Sequence, residues 1–379
     1  MPTTATHPHA ETLLLALDLG NTTWKLGFTT GPAQAPRMRT MVARDLAALA
    51  AEIDCAKRRF ALPPDSPVVS CYEAGRDGFW VHRALTQLGV ANLVVDSASI
   101  EGNRRGRQPK SDALDTRALL AKLARHVSGE RDVWSVVHVP SIADEDRRQL
   151  HRELFILTGA RTRTINRIKS LLALHGIVLP GRGLPRTLPP AGQRRTWNGS
   201  ALPPETEARL AREWARLTSV RREIRLLIAE RRARLRRNDP ADPTLPMVRA
   251  LLALRGIGEV SAWIYTTEFF AWRQFRNRRQ VGGAAGLCST RRESGDIARE
   301  QGISKAGNQY LRALAVELAW SWLRRQPQSA LSQWYRRRFA AGGARLRWIG
   351  IVALARKLLV ALWRYLETGA LPEGALRKA

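Results

Sequence analysis

The chain has 379 residues and an ordinary globular composition, with 44% hydrophobic and 25% charged residues. Its 62 Lys and Arg against 33 Asp and Glu give a formal net charge of +29, which favours a polyanionic partner such as nucleic acid. Three widely separated cysteines and seven histidines without metal-ligand spacing argue against a disulfide scaffold and a zinc site, and no segment has the length and apolar character to span a bilayer, so we expect a cytoplasmic protein without a membrane partner.

The first 143 residues predict an α/β domain. Short apolar runs at 13–18, 22–28 and 38–42 predict three consecutive strands, and alternating helices and strands follow them. The last element is a predicted helix over 112–127. Ribonuclease-H-like domains have this order, but so does each half of an actin-like kinase. The order of elements therefore leaves a metal-dependent nuclease and a phosphotransferase both open.

Four acidic residues are candidates for one metal site. Asp18 lies in the first strand, Glu73 ends a later strand, and Asp112 and Asp115 are three residues apart on one helix face. Clustered carboxylates repel each other unless a cation neutralises them, and hard oxygen ligands suit Mg²⁺ or Mn²⁺. Because an Asp-x-x-Asp pair by itself is usually a helix cap, the prediction depends on the whole set of four.

The remaining sequence predicts mainly helices. Residues 144–240 form a helical segment in which apolar residues from Leu210 to Leu235 follow a heptad seam. An antiparallel helix pair within the chain and a coiled coil between chains would each satisfy that seam. Residues 241–379 form a further, mainly helical domain.

Two groups of basic residues are candidate phosphate contacts. One group lies in the loop before the helix at 112, and the other surrounds Ser289 and Ser294. A serine can attack a phosphodiester when its proton is removed and neighbouring cations stabilise the developing charge. The candidate contacts are Arg104, Arg105, Arg107 and Lys110 in the loop, and Arg291, Arg292, Arg299 and Lys305 around the serines.

Seven segments carry a resemblance that covers nearly the whole chain. They are ALDLGNT, YEAGRDGFWVHRALTQLGV, RGRQPKSDALDTRALL, RELFILTGARTRTINRIKSLLALHGI, LLALRGIGEVSA, GLCSTRRESGDIAREQGISKAGNQYLRALAVE and VALARKLLVALW. In this order they resemble the transposases of the insertion-sequence 110 family, which are related to the Piv and MooV DNA invertases. The shared order is far more specific than any single motif.

The resemblance implies an α/β ribonuclease-H-like (RuvC-like) N-terminal domain over 1–143, a helical coiled-coil middle segment over 144–240 and a mainly α C-terminal transposase domain over 241–379. It implies that the four acids form a metal site of the Asp-Glu-Asp-Asp type, on the residues Asp18, Glu73, Asp112 and Asp115. It also implies a nucleophilic serine in the C-terminal domain and a phosphoserine–DNA intermediate.

The family motif favours Ser294 over Ser289 as that serine. Aligned on GLC and GISKAGN, Ser294 and Gly295 match the second serine and the first glycine of the motif. The chain departs from the family at two positions, because Glu293 stands in place of the first serine and Asp296 in place of the second glycine.

The resemblance further implies the partners. They are DNA, comprising the element ends and a target, and a non-coding bridge RNA whose loops pair with both. A homo-oligomer, a dimer or tetramer, is also implied, in which the acids of one protomer face the serine of another. A basic chain fits such partners, since RNA is recognised largely through shape and backbone.

Three other functions compete with a site-specific DNA transposase. A Holliday-junction resolvase or nuclease would share the four acids but use water as the nucleophile, and it would not need the C-terminal third. An actin-like kinase would need a second Asp-x-Gly turn, which we do not find, and would not explain the net charge of +29. A non-catalytic binder would not need the acids. We therefore expect a transposase.

Overall fold

The computed structural model describes residues 12–75, 78–99, 112–130, 133–177, 184–185, 187–190, 193–294, 297–305 and 307–378. The chain divides into two compact units, residues 1–140 and residues 141–379. In the described ranges, every helix is either too short or too polar to cross a bilayer.

The first unit contains a five-stranded mixed sheet with the order β3-β2-β1-β4-β5. β1, β2 and β3 are antiparallel neighbours, whereas β4 and β5 run parallel to β1. The strands are β1 (Leu13–Leu19), β2 (Thr23–Thr29), β3 (Arg37–Val42), β4 (Val68–Glu73) and β5 (Ala91–Val95). The helices are α1 (Leu46–Arg59), α2 (Trp80–Gln87) and α3 (Asp112–Val127). The predicted α/β character of this region is confirmed.

Helices cover both faces of this sheet, which explains the unbroken apolar run of β1. Leu13, Leu15 and Leu17 face a core shared with α1 and α2. Leu14 and Ala16 point the other way, into a core formed with α3. Alternation along the strand therefore fixes which face each later residue of β1 can reach.

The second unit is mainly helical, as predicted, but it also contains a β-hairpin. The helices are α4 (Ile142–Asp146), α5 (Gln149–Ala173), α6 (Pro204–Arg237), α7 (Thr244–Leu252), α8 (Glu259–Ile264), α9 (Arg278–Ala284), α10 (Gln309–Arg325), α11 (Ala330–Tyr335) and α12 (Ala344–Thr368). The hairpin strands are β6 (Ser289–Ser294) and β7 (Ile297–Ile303). The sequence pattern did not predict this hairpin, which is consistent with a mainly helical domain.

The heptad seam of α6 is occupied by other parts of the same chain at both ends. Leu210, Trp214 and Leu217 share a buried cluster with residues of α5. At the other end, Leu235 packs against the C-terminal core. These contacts correspond to the intrachain helix pair, and an oligomer built through a coiled coil stays a prediction.

A buried carboxylate joins α5 to the C-terminal helices. Glu268 lies in a π-helical segment, Tyr265–Phe270, and is 6% exposed. Its Oε1 lies 2.9 Å from Nε2 of His151 and accepts a hydrogen bond of 2.6 Å from Nε of Arg152. Burial raises the pKa of the Glu268 carboxyl, but the hydrogen bonds and charges of His151 and Arg152 outweigh burial and lower the pKa to about 2.

We expect Glu268→Gln to lower the free energy of unfolding by about 3 kcal/mol at neutral pH, since it removes the acid that pairs with Arg152 and with the buried Arg148. A carboxylate whose pKa falls on folding stabilises the fold above its ordinary pKa of 4.5, and this stabilisation is lost as the pH falls toward 2. The wild-type chain should lose this stabilisation as the pH falls from 4.5 toward 2. The Glu268→Gln variant should lack it at every pH. Denaturant unfolding at a series of pH values measures both effects.

The matched control is Glu230→Gln. Glu230 forms an exposed ion pair with Arg234 on α6, and exposed pairs contribute little to stability. If the Glu268 and Glu230 variants have the same stability at neutral pH, the buried cluster does not stabilise the junction.

Candidate functional site

Asp18 and Glu73 are neighbours across the sheet. The parallel register of β1 and β4 pairs Leu17 with Tyr72, and Asp18 and Glu73 are the next residue on each strand. Adjacent strands lie about 4.8 Å apart. Asp18 lies two residues after Ala16 on β1, and Glu73 is level with Asp18 on β4. Side chains two residues apart on a strand face the same side, so both acids lie on the sheet face that α3 covers. Asp18 is half-buried and Glu73 is exposed.

The first turn of α3 lies over the same face. A Cβ at Gly27 would be 3.2 Å from Cγ2 of Thr116, so the missing side chain at Gly27 lets α3 approach β2 closely. Gly27 pairs with Ala16, which is two residues, or about 7 Å, from Asp18 along β1. Asp115, next to Thr116, is exposed. The side chain of Asp112 lies outside the described residues.

A further acid, Asp96, follows β5 but is not in register with this pair. Glu73 pairs with Val95, the last residue of β5. Sequence reasoning did not consider Asp96, and the register gives no reason to add it.

Hard carboxylate oxygens on Asp18 and Glu73 fit the donor preference of Mg²⁺ or Mn²⁺. Among the side chains that the structure describes, no group of three or more His, Cys, Asp or Glu lies close enough to hold a metal. The predicted site needs Asp112, whose side chain is not among those that the structure describes. The four-acid metal site therefore stays a prediction, and two of its members are in register.

The two candidate serines lie at opposite ends of one strand. Ser289 begins β6, is exposed, and sits at the base of the hairpin. Ser294 ends β6 and pairs with Ile297, the first residue of β7. Five residues of strand separate the serines by about 17 Å, so they cannot serve the same reaction centre in turn. The nucleophile therefore lies either at the base of the hairpin, if it is Ser289, or at the far end of β6, if it is Ser294.

Most of the predicted basic contacts lie outside the described side chains. Lys305 is exposed and follows β7, with a left-handed backbone at φ 56°. The backbone of the hairpin carries three others, whose side chains are not described, and the loop before α3 is not described at all. These residues are Arg291, Arg292 and Arg299 in the hairpin, and Arg104, Arg105, Arg107 and Lys110 in the loop.

Comparisons with known proteins point to one class. A family model described as the transposase IS116/IS110/IS902 family matches residues 248–336. The chain is 38% identical over 377 residues to the Sinorhizobium fredii protein y4rJ, to which transposase function is ascribed, and the match covers 97% of this chain and 94% of y4rJ. It is 28% identical over 309 residues to a Pseudomonas aeruginosa protein ascribed to transposase family 20, covering 81% and 85% of the two chains. The first of these matches extends across both compact units.

Proposed function

The chain belongs to the IS110-type transposases, and on that premise we propose that it excises and inserts a mobile DNA element through a serine-linked DNA intermediate. The observation that carries the chemistry is the registered pair Asp18 and Glu73 at the carboxyl ends of two parallel strands. The strand order of the sheet, three antiparallel strands followed by two parallel ones, supports a ribonuclease-H-like (RuvC-like) domain.

In this proposal Ser294 is the nucleophile. Its Oγ forms a bond to the phosphorus of one DNA strand, the P–O bond to the adjoining deoxyribose breaks, and the serine proton is lost while the released DNA oxygen gains one. The phosphodiester is exchanged for another phosphate ester, so little bond energy is lost. A hydroxyl of a second DNA strand then attacks the phosphoserine, frees Ser294 and completes the exchange.

The acids position the scissile phosphate. Asp18 and Glu73 would hold a divalent cation with Asp112 and Asp115, and such a cation neutralises charge on the phosphoryl oxygens when bound. Without such a cation the carboxylates would repel a phosphodiester, because like charges repel.

We further propose that a bridge RNA selects the DNA and that two or more protomers complete the site, with the acids of one facing Ser294 of another. The net charge of +29 supports a large polyanionic partner. The match to y4rJ, to which transposase function is ascribed, covers nearly all of both chains. It supports an enzyme that a mobile element encodes.

The direct experiment uses DNA that flanks this reading frame, with both element junctions, and RNA transcribed from the same flank. With Mg²⁺ present, the proposal expects a protein–DNA species that survives denaturing electrophoresis. Cleavage without any such species would favour the resolvase-like alternative, in which water is the nucleophile.

The loop at 103–110 supplies a test of phosphate contact. We expect Arg104→Gln with Arg105→Gln to weaken DNA binding and to reduce the slope of log K against log salt concentration by about two, since each lost phosphate contact removes about 0.9. Fluorescence anisotropy at several salt concentrations measures the slope.

The control for this pair is Arg58→Gln with Arg59→Gln, two adjacent arginines that are exposed at the end of α1. It matches the loss of charge without touching the loop. If both double variants change the slope equally, the loop has no special phosphate contact.

A further inference from the structure

A long groove runs through the second unit beside α12. It has a volume of about 1850 Å³ and is bounded by α9, α11, α12 and the base of the β6–β7 hairpin. Pockets for small molecules are typically 300–1,000 Å³, roughly half this size or less. From Arg345 to Arg364 its wall follows 20 residues of α12, which rise about 28 Å along the helix axis. These dimensions suit a chain-like ligand better than a metabolite.

The groove is strongly basic. Eight Lys or Arg line it against two acids, Glu367 and Glu373. Along α12 its basic residues are Arg345, Arg356, Lys357 and Arg364. Within the described part of the chain, none of the eight forms an ion pair, whereas arginines of α6 pair with Glu259 and Glu230. Mutually repelling cations that outnumber the acids eight to two indicate an anionic ligand.

A glycine leaves room for one of these cations. A Cβ at Gly282 in α9 would lie 2.8 Å from Nε of Arg356. Arg356 is half-buried in that position. Partial burial of a charge costs free energy unless a partner compensates for it. A phosphate in the groove would supply that partner.

Aromatic rings accompany the cations. Trp348 is 59% exposed on the groove side of α12 and makes an edge contact with Trp320 at a centroid distance of 6.3 Å. Lys357 lies 4.7 Å from the ring centroid of Trp334, another lining residue. Aromatic rings in a basic groove are typical of proteins that stack unpaired bases while cations follow the phosphates. Duplex bases are already stacked, so they present no free face to Trp348.

The groove leads to the hairpin that carries the proposed nucleophile. Ser289 and Ile303, at the base of the hairpin, line it. Ser294 lies five strand residues further on, about 17 Å away. Resting on the proposed function, we propose that this groove, the α12 groove, binds single-stranded DNA that flanks the phosphodiester cut at Ser294. Its cations hold the phosphates and Trp348 stacks on a base.

The test measures binding of a fluorescein-labelled 20-nucleotide oligo(dT) to the full chain by anisotropy, with EDTA present so that no strand is cut. Trp348→Ala should weaken binding about tenfold or more, as expected for loss of one stacked base. Trp348→Phe keeps an aromatic face and should stay within about threefold of wild type. Trp197→Ala is the matched control, because Trp197 is 82% exposed but lies outside the groove.

Three results would overturn the proposal. The first is wild-type affinity in Trp348→Ala. The second is tighter binding of oligo(U) than of oligo(dT) by the wild type, with the preference lost in Trp348→Ala, which would assign the groove to RNA. The third is a dimer in the wild type that Trp348→Ala dissociates without changing DNA binding, which would assign the groove to a second copy.

These readouts are independent of the proposed chemistry. Binding in EDTA requires no nucleophile, so Ser294→Ala should bind oligo(dT) like wild type. Failure of Trp348→Ala to weaken binding would remove the groove proposal alone. Absence of the covalent adduct in the wild type would remove the serine mechanism and leave the binding result standing.

Discussion

Ser294→Ala is expected to abolish the covalent protein–DNA adduct, by a factor of about 10³ or more, while DNA binding stays within about twofold. The reason is that the substitution removes the oxygen that bonds to phosphorus and little else. Denaturing electrophoresis of labelled junction DNA measures the adduct, and anisotropy in EDTA measures binding.

Ser289→Ala is the control for this prediction. Ser289 has the same chemistry on the same strand, yet it starts β6 about 17 Å from Ser294. We expect the Ser289 variant to form the adduct at the wild-type level. If the adduct persists in Ser294→Ala and disappears in Ser289→Ala, the nucleophile is at the base of the hairpin.

Asp18→Asn should have the second largest effect, a loss of about 10² to 10³ in adduct formation. Asn keeps the size of the side chain but removes the negative charge that binds a divalent cation. We therefore expect weaker Mn²⁺ binding by calorimetry as well, and this readout does not depend on activity. Glu73→Gln should behave similarly, and the double variant should be little worse than either, because residues that act as a unit are not additive.

Asp54→Asn controls for the loss of one acid from the same unit. Asp54 is exposed on α1, away from the sheet edge that carries Asp18. Its adduct formation and Mn²⁺ binding should match wild type. Normal Mn²⁺ binding and a normal adduct level in Asp18→Asn would contradict a metal role for the registered pair.

The α/β unit was predictable because its signals are local. β1 is apolar at successive positions since helices cover both sheet faces, and the helix expected over 112–127 is observed as Asp112–Val127. The sequence could not fix the pairing of Asp18 with Glu73. Fifty-five residues separate them (73 − 18), and only the parallel register of β1 with β4 brings them together.

The hairpin escaped prediction because its strands carry little apolar alternation. STRRES and IAREQGI are rich in charged and polar residues, so they lack the alternation of apolar and polar residues that usually indicates a strand. One signal was present: Gly295 and Asp296, between the strands, are a dipeptide typical of two-residue hairpin turns.

Contacts between distant segments were also beyond sequence reasoning. His151 and Glu268 are 117 positions apart, and neither lies in a pattern that names its partner. The heptad seam of α6 predicted a packed face correctly, but a repeat of apolar residues does not say whether the facing helix belongs to the same chain. The α12 groove follows the same rule, because four of its eight basic residues lie on α12 and the other four come from segments that only the fold brings beside it.

If strand exchange passes through a phosphoserine at Ser294, mass spectrometry of the trapped adduct should find the DNA on that residue. Trypsin should release Ser294 in the peptide Glu293–Arg299, ESGDIAR, where it is the sole hydroxyl residue, and Ser289 in the separate peptide Gln280–Arg291. After nuclease digestion, we expect a nucleotide phosphate on ESGDIAR. The same mass added to Gln280–Arg291, or cleaved DNA with neither peptide modified, would contradict it.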